Sequence, residues 1–163
     1  KQPKMKKTIY LLIAVSFLFS ACKKEQGCTD PIATNYNSDA EEDDGSCNYG
    51  IVGTWIPNTI EQQLYILNQT TGNWDLFQTV NTTAADAGIE GNITFTSDGN
   101  VTDMDGTALY TVSGNTISID DSDNITTLEY TVTNTNLTLT EKDITDDFDP
   151  AMKYDFTINC NRQ

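Results

Sequence analysis

Histidine is absent from all 163 residues. With it go the commonest general base, the usual zinc ligand and every Ser/His or Cys/His nucleophile pair. Chemistry would have to come from four cysteines and 24 acidic residues. Cys22, Cys28 and Cys47 lie in the first third of the chain, and Cys160 near its C-terminal end. A reactive thiolate needs a basic neighbour. Cys160 shares the apolar face of the last strand-like segment, which favours a buried, inert thiol over a reactive or intermolecular one. Carboxylate pairs are frequent enough to build a glycosidase-like dyad. They fall mainly in turn sequences, such as Asp120-Asp121-Ser122-Asp123 and Asp146-Asp147, where solvation accounts for them. There is no phosphate loop and no basic aromatic patch. The chain is expected to be no enzyme and to need no cofactor, with calcium as the single alternative.

The formal net charge is −15, and the acidic side chains outnumber the nine basic ones. So acidic a chain is repelled by nucleic acid and by anionic head groups. Lys1, Lys4, Lys6 and Lys7 all precede Cys22, so the remainder is more acidic still. Thr, Asn and Asp dominate the polar positions, a composition suited to strands joined by tight turns. No long segment repeats its apolar residues at a helical period.

The first element to place is an export leader. Lys6-Lys7 form a basic segment, Ile9 to Phe19 an apolar one, and Ser20-Ala21 are the small residues of a cleavage site. Residues 1–21 read as a signal peptide, with Met5 as the expected start and residues 1–4 upstream of it. The apolar run is shorter than the ~20 residues a membrane-spanning helix needs. Phe17-Leu18-Phe19-Ser20-Ala21-Cys22 resembles a bacterial lipobox, although Phe19 stands where an aliphatic residue is usual. The resemblance implies a diacylated Cys22 as the mature N-terminus and residues 22–27 as a lipidated tether. Each buried methylene adds about 0.8 kcal/mol to such an anchor. An ordinary secretory peptide with an incidental cysteine is the alternative. The expected place is the cell envelope, lipid-anchored, at the outer membrane and facing periplasm or surface. That compartment permits disulfides.

Residues 28–49 stand apart. Cys28 and Cys47 bracket an acidic, turn-rich loop that ends in Asp43-Asp44-Gly45-Ser46. A Cys28–Cys47 disulfide would stabilise it by roughly 3 kcal/mol in the chain-entropy model. A segment with almost no core needs such a staple. Asp30, Asp39, Asp43 and Asp44 offer oxygens of the kind calcium takes, without EF-hand spacing. The competing reading makes them turn formers. Cys28-Thr29-Asp30-Pro31, Ala33, Asn35-Tyr36-Asn37, Ala40 and Asp43 to Cys47 resemble a recurrent module of secreted and surface proteins of Gram-negative bacteria, with Ser38 in place of the usual proline. The resemblance implies a spacer or interaction module, for which other envelope proteins are candidate partners.

From residue 50 to 163 the period is two. Ile93-Thr94-Phe95-Thr96, Leu109 to Val112, Ile117 to Ile119, Leu128 to Val132, Leu137 to Leu139 and Tyr154 to Cys160 alternate apolar with polar. Leu64 to Leu67 and Trp74 to Phe77 form a further hairpin around Gln69-Thr70-Thr71-Gly72. The pattern predicts an all-β antiparallel up-and-down meander of eight or nine strands, closed into a small barrel. Residues Thr82 to Gly91 are expected as a loop or single helical turn over a barrel mouth, and Ile144 to Ala151 as a loop before the last strand.

Gly53-Thr54-Trp55, Phe95 with Asp98-Gly99, and Leu109 to Ile117 in this order resemble the small lipocalin-like domains of bacterial lipoproteins, over about residues 50 to 160. The resemblance implies that Trp55 packs across the closed end of the barrel beneath a basic residue from the last strand. Arg162, the only arginine, has the strand parity of Tyr154, Phe156, Ile158 and Cys160. Its stem over the Trp55 ring would contribute roughly 0.5–2 kcal/mol. A solvent-exposed C-terminus is the alternative. Gly53, Trp55 and Arg162 are therefore structural candidates. Two functions remain. One is binding of a small apolar or amphipathic ligand in a cavity lined by Trp74, Phe77, Phe95, Tyr110, Tyr130 and Phe156. The other is a filled barrel displayed for contact at the envelope. Cavity volume separates them.

Overall fold

A computed structural model describes residues 24–145 and 151–163, and these divide after Cys47 into two compact units. The leader and Cys22 lie outside the described residues.

In the first unit, β1 (Gln26–Gly27) and β2 (Glu42–Asp43) form a two-residue parallel ladder. Cys28 and Cys47 are joined by a disulfide, with Cα atoms 4.7 Å apart. Short polar side chains fold the loop between them. Asp30 Oδ1 accepts the Ile32 N–H at 3.0 Å, and Asn37 Oδ1 the Asp39 N–H at 3.0 Å. Asp43 Oδ1 accepts the Gly45 N–H at 3.0 Å, and Asp44 Oδ1 the Ser46 N–H at 2.9 Å. These are turns that Asx side chains make with their own backbone. Cys28 and Ala33 are the buried apolar residues among those described in this unit. Two small side chains make no core, so the crosslink holds the segment.

The second unit is an antiparallel barrel. Its strands are β3 (Gly53–Leu67), β4 (Trp74–Thr83), β5 (Ile93–Phe95), β6 (Asn100–Thr102), β7 (Thr107–Ser113), β8 (Thr116–Asp120), β9 (Ile125–Val132), β10 (Asn136–Thr145) and β11 (Met152–Arg162). Pairing runs β3-β5-β6-β7-β8-β9-β10-β11 and returns to β3, so eight strands close up and down, with β4 outside the ring. Gly114, with φ 62°, occupies the first central position of the two-residue turn between β7 and β8. That is the place where a type II′ hairpin calls for glycine.

Everything is hung on β3, which is 15 residues long. On one edge it pairs with β11 from Trp55 to Ile66. On the other, β5 takes Gly53 to Trp55 and β4 takes Thr59 to Leu67. β4 and β5 therefore act as one interrupted partner. The chain between them makes a turn at 84–88, stitched to β3 where Ala84 N–H donates to Asn58 O at 2.9 Å. The expectation for Thr82 to Gly91 is corrected accordingly. Thr82 and Thr83 end β4, and the turn leaves from the edge of β3. Ile144 and Thr145 likewise belong to β10, and 146–150 lie outside the described residues. Pro57 opposes Cys160 just before a register shift that leaves Asn58 as the extra residue. Proline has no N–H to give a ladder, and a bulge is where a strand tolerates it.

The buried core is Ile51, Trp55, Phe95, Val101, Ile117, Leu137, Leu139 and Cys160. The second half of β3, with β4, the start of β11 and the end of β10, continues past the ring as a wall. Register puts Leu64 beside Tyr154 and Ile66 beside Met152 on the face that continues the interior.

Candidate functional site

The barrel has one plugged end. The Trp55 ring is fully buried and its Nε1–H donates to Ile51 O at 2.8 Å. Opposite Trp55 in the ladder stands Arg162, whose guanidinium carbon lies 4.2 Å from the ring centroid. Its Nη1 donates to Val52 O at 3.2 Å and its Nη2 to Gly50 O at 3.3 Å. The last strand thus locks onto the segment that precedes the first. Phe95 meets Tyr110 edge to face, with centroids 5.1 Å apart, and the Tyr110 hydroxyl donates to Thr96 O at 2.8 Å.

Toward the other end the interior is hollow. A cavity of about 430 Å³ opens between the β6–β7 and β8–β9 turns. Every strand of the ring except β3 contributes to its lining. Ile93, Phe95, Val101 and Ala108 form one side of the wall, and Ile119, Leu128, Leu139 and Ile158 the other. The mouth differs in kind. Asp103, Asp105 and Gly106 bring one turn to it, and Asp121 and Asp123 the next. Asp103 Oδ1 accepts the Asp105 N–H at 2.9 Å. Asp121 Oδ1 accepts those of Asp123 at 3.0 Å and Asn124 at 2.7 Å. One aspartate in each turn shapes the loop, and the next but one is carried to the rim by it.

Of the six aromatic residues expected to line a cavity, Phe95 does so. Tyr110 and Tyr130 pack against the core instead. Phe156 is two residues beyond Ile158 on the same face of β11, opposite Gln62. Trp74 and Phe77 lie on β4, outside the ring, and Phe77 is 66 % exposed. The reason is the length of β3, whose overhang takes β4 as a partner and so leads both aromatic residues away from the interior. Trp74 and Tyr65 instead flank Lys153, whose Nζ is 5.2 Å and 5.4 Å from the two ring centroids and is ion-paired with Asp143. The aspartate rim was not identified from sequence, where Asp120 to Asp123 read as solvated turn residues. The available signal was aspartate at alternate positions in two turns, Asp103-Met104-Asp105-Gly106 and Asp121-Ser122-Asp123-Asn124.

Cys160 is 1 % exposed, and burial pushes its thiol from 9.0 up to about 11. A thiol so placed is protonated at neutral pH and a poor nucleophile. Asp30, Asp39, Asp43 and Asp44 do not gather around a common point. Among the described residues no three acidic or cysteine side chains are arranged to hold a metal ion.

Comparison with protein-family models, with curated proteins and with solved structures finds no match for this chain.

Proposed function

We propose that this chain is a lipid-anchored, lipocalin-like protein of the cell envelope that binds a small apolar or amphipathic ligand without transforming it. The observation that carries the reading is the hollow half of the barrel. Its volume of about 430 Å³ lies within the range of ligand pockets, roughly 300–1,000 Å³, and far above the ~30 Å³ share of one water. A barrel filled by its own side chains and displayed only for contact has no need of that space.

The non-enzymatic part rests on the chemistry available. No histidine is present in the sequence, and Cys160 is sealed in the core. The anchor rests on Phe17 to Cys22 and on the basic and apolar segments before them. The acidic module would then lie between anchor and barrel in the sequence.

Native mass spectrometry of the mature protein, purified from its native membrane, tests the reading. A co-purifying apolar mass, lost in the cavity-filling variant Ala108→Phe, is expected. Absence of any such mass, together with no saturable uptake of an apolar fluorescent probe, would overturn it. Cys22→Ser, expected to release the protein from the membrane fraction, tests the anchor separately.

A further inference from the structure

We infer that the ligand of this cavity is a cationic amphiphile, bound apolar end first with its positive group held at the aspartate rim. The inference rests on the binding reading above and adds the charge class and the orientation.

Its basis is the cavity and the distribution of charge around it. Below the rim the wall is apolar apart from Thr107, which lies next to the mouth and whose hydroxyl is hydrogen-bonded with that of Thr102, and no polar or charged side chain among the described residues is fully buried. A polar group carried to the bottom would lose its water and gain no partner, a loss of a few kcal/mol. The polar end of any ligand therefore stays at the mouth. There it meets Asp103, Asp105, Asp121 and Asp123, and no basic residue lines the cavity.

Nor does the barrel supply a counter-ion. Its described cations are Lys142, Lys153 and Arg162. Lys142 is paired with Glu129 at 2.7 Å. Lys153 is held by Asp143 between two rings, and Arg162 lies at the plugged end. Four carboxylates at the opening of an apolar cavity are left for a cation from outside. A fatty-acid carboxylate would be repelled at the same spot, and an alcohol could donate one hydrogen bond there but would bring no charge to pair.

Isothermal titration with three probes of one chain length, kept monomeric in solution, decides the matter: dodecyltrimethylammonium, dodecanol and dodecanoate. The ammonium is expected to bind about tenfold or more tighter than the alcohol, the size of a few water-exposed charge contacts, and the carboxylate weakest. Added salt should compress the ranking. Asp105→Asn with Asp123→Asn should bring the ratio of ammonium to alcohol toward one. These two are chosen because Asp103 and Asp121 shape their turns. Equal binding of all three probes, insensitive to the double substitution, would overturn the charge class and leave the cavity reading standing. Undiminished ammonium binding by Ala108→Phe would place the cation on the acidic surface at large and overturn the inference too. Binding of none would overturn both readings.

Discussion

A β-carbon at Gly53 would stand 2.8 Å from Nη1 of Arg162. The tip of the Arg162 side chain lies this close to the first strand of the ring because that carbon is missing. Gly53 also has φ 143°, a conformation L residues rarely adopt. Gly53→Ala is therefore expected to destabilise the barrel by about 1–3 kcal/mol, read as a shift in urea midpoint. In the Arg162→Ala background the clash is gone and the backbone strain stays, so the cost should shrink without vanishing. An equal cost in both backgrounds would show that the side chain plays no part.

Arg162→Lys keeps the charge and loses the fork. A lysine cannot cover the Trp55 ring and reach the Val52 and Gly50 carbonyls together, as the guanidinium does. The substitution is expected to cost roughly 0.5–2 kcal/mol, and Arg162→Ala more. The melt of intrinsic fluorescence reads it, since Trp55 and Trp74 are the only tryptophans and both belong to the barrel unit.

Removing the crosslink should unfold one unit alone. Cys28→Ser with Cys47→Ser takes away roughly 3 kcal/mol from a segment held by little else. Limited proteolysis is expected to cut between residues 28 and 47, with the tryptophan melt unmoved. A lowered barrel transition would show that the crosslink supports the barrel as well.

Alkaline pH should weaken the fold through Cys160. Its folded pKa is raised, so the stabilisation is whole below the ordinary thiol value of 9.0 and is lost as pH climbs toward about 11. In that window the unfolded thiol ionises and the buried one does not. The loss is on the order of 1–3 kcal/mol. Tyr110, raised by burial and then by Asp98, acts in the same direction. Cys160→Ala should flatten the slope of stability between pH 9 and 11; an unchanged slope would assign it to Tyr65, Tyr110 and Lys142, whose pKa values are raised as well.

Period-two alternation and hairpin turns made most of the barrel legible in the sequence, because each strand buries one face and each turn needs its own residues. Parity set Arg162 on the inner face of the last strand, and the resemblance, not the pattern, implied its place over Trp55. The destination of Trp74 and Phe77 was not legible. Both carry the right pattern for a strand, and pattern does not say whether a strand joins the ring or an overhang. That depends on the reach of β3, whose 15 residues include Pro57 at a bulge that looks like a strand end. The rim was missed for a related reason. An aspartate that shapes a turn and one carried to a cavity mouth have the same local sequence, and only closure of the ring separates them.

The pairing of β3 with β11 also sets an order in time. Arg162 reaches back to Gly50 across 112 positions, so the first strand made has no partner on that edge until the last is finished. Such distant pairings are closed late and slowly. The ring stays open until β11 has been made, and loss of Asn161 and Arg162 would leave it without its clasp. A delay of this kind suits a protein that must cross a membrane before it folds, as the export proposed above requires.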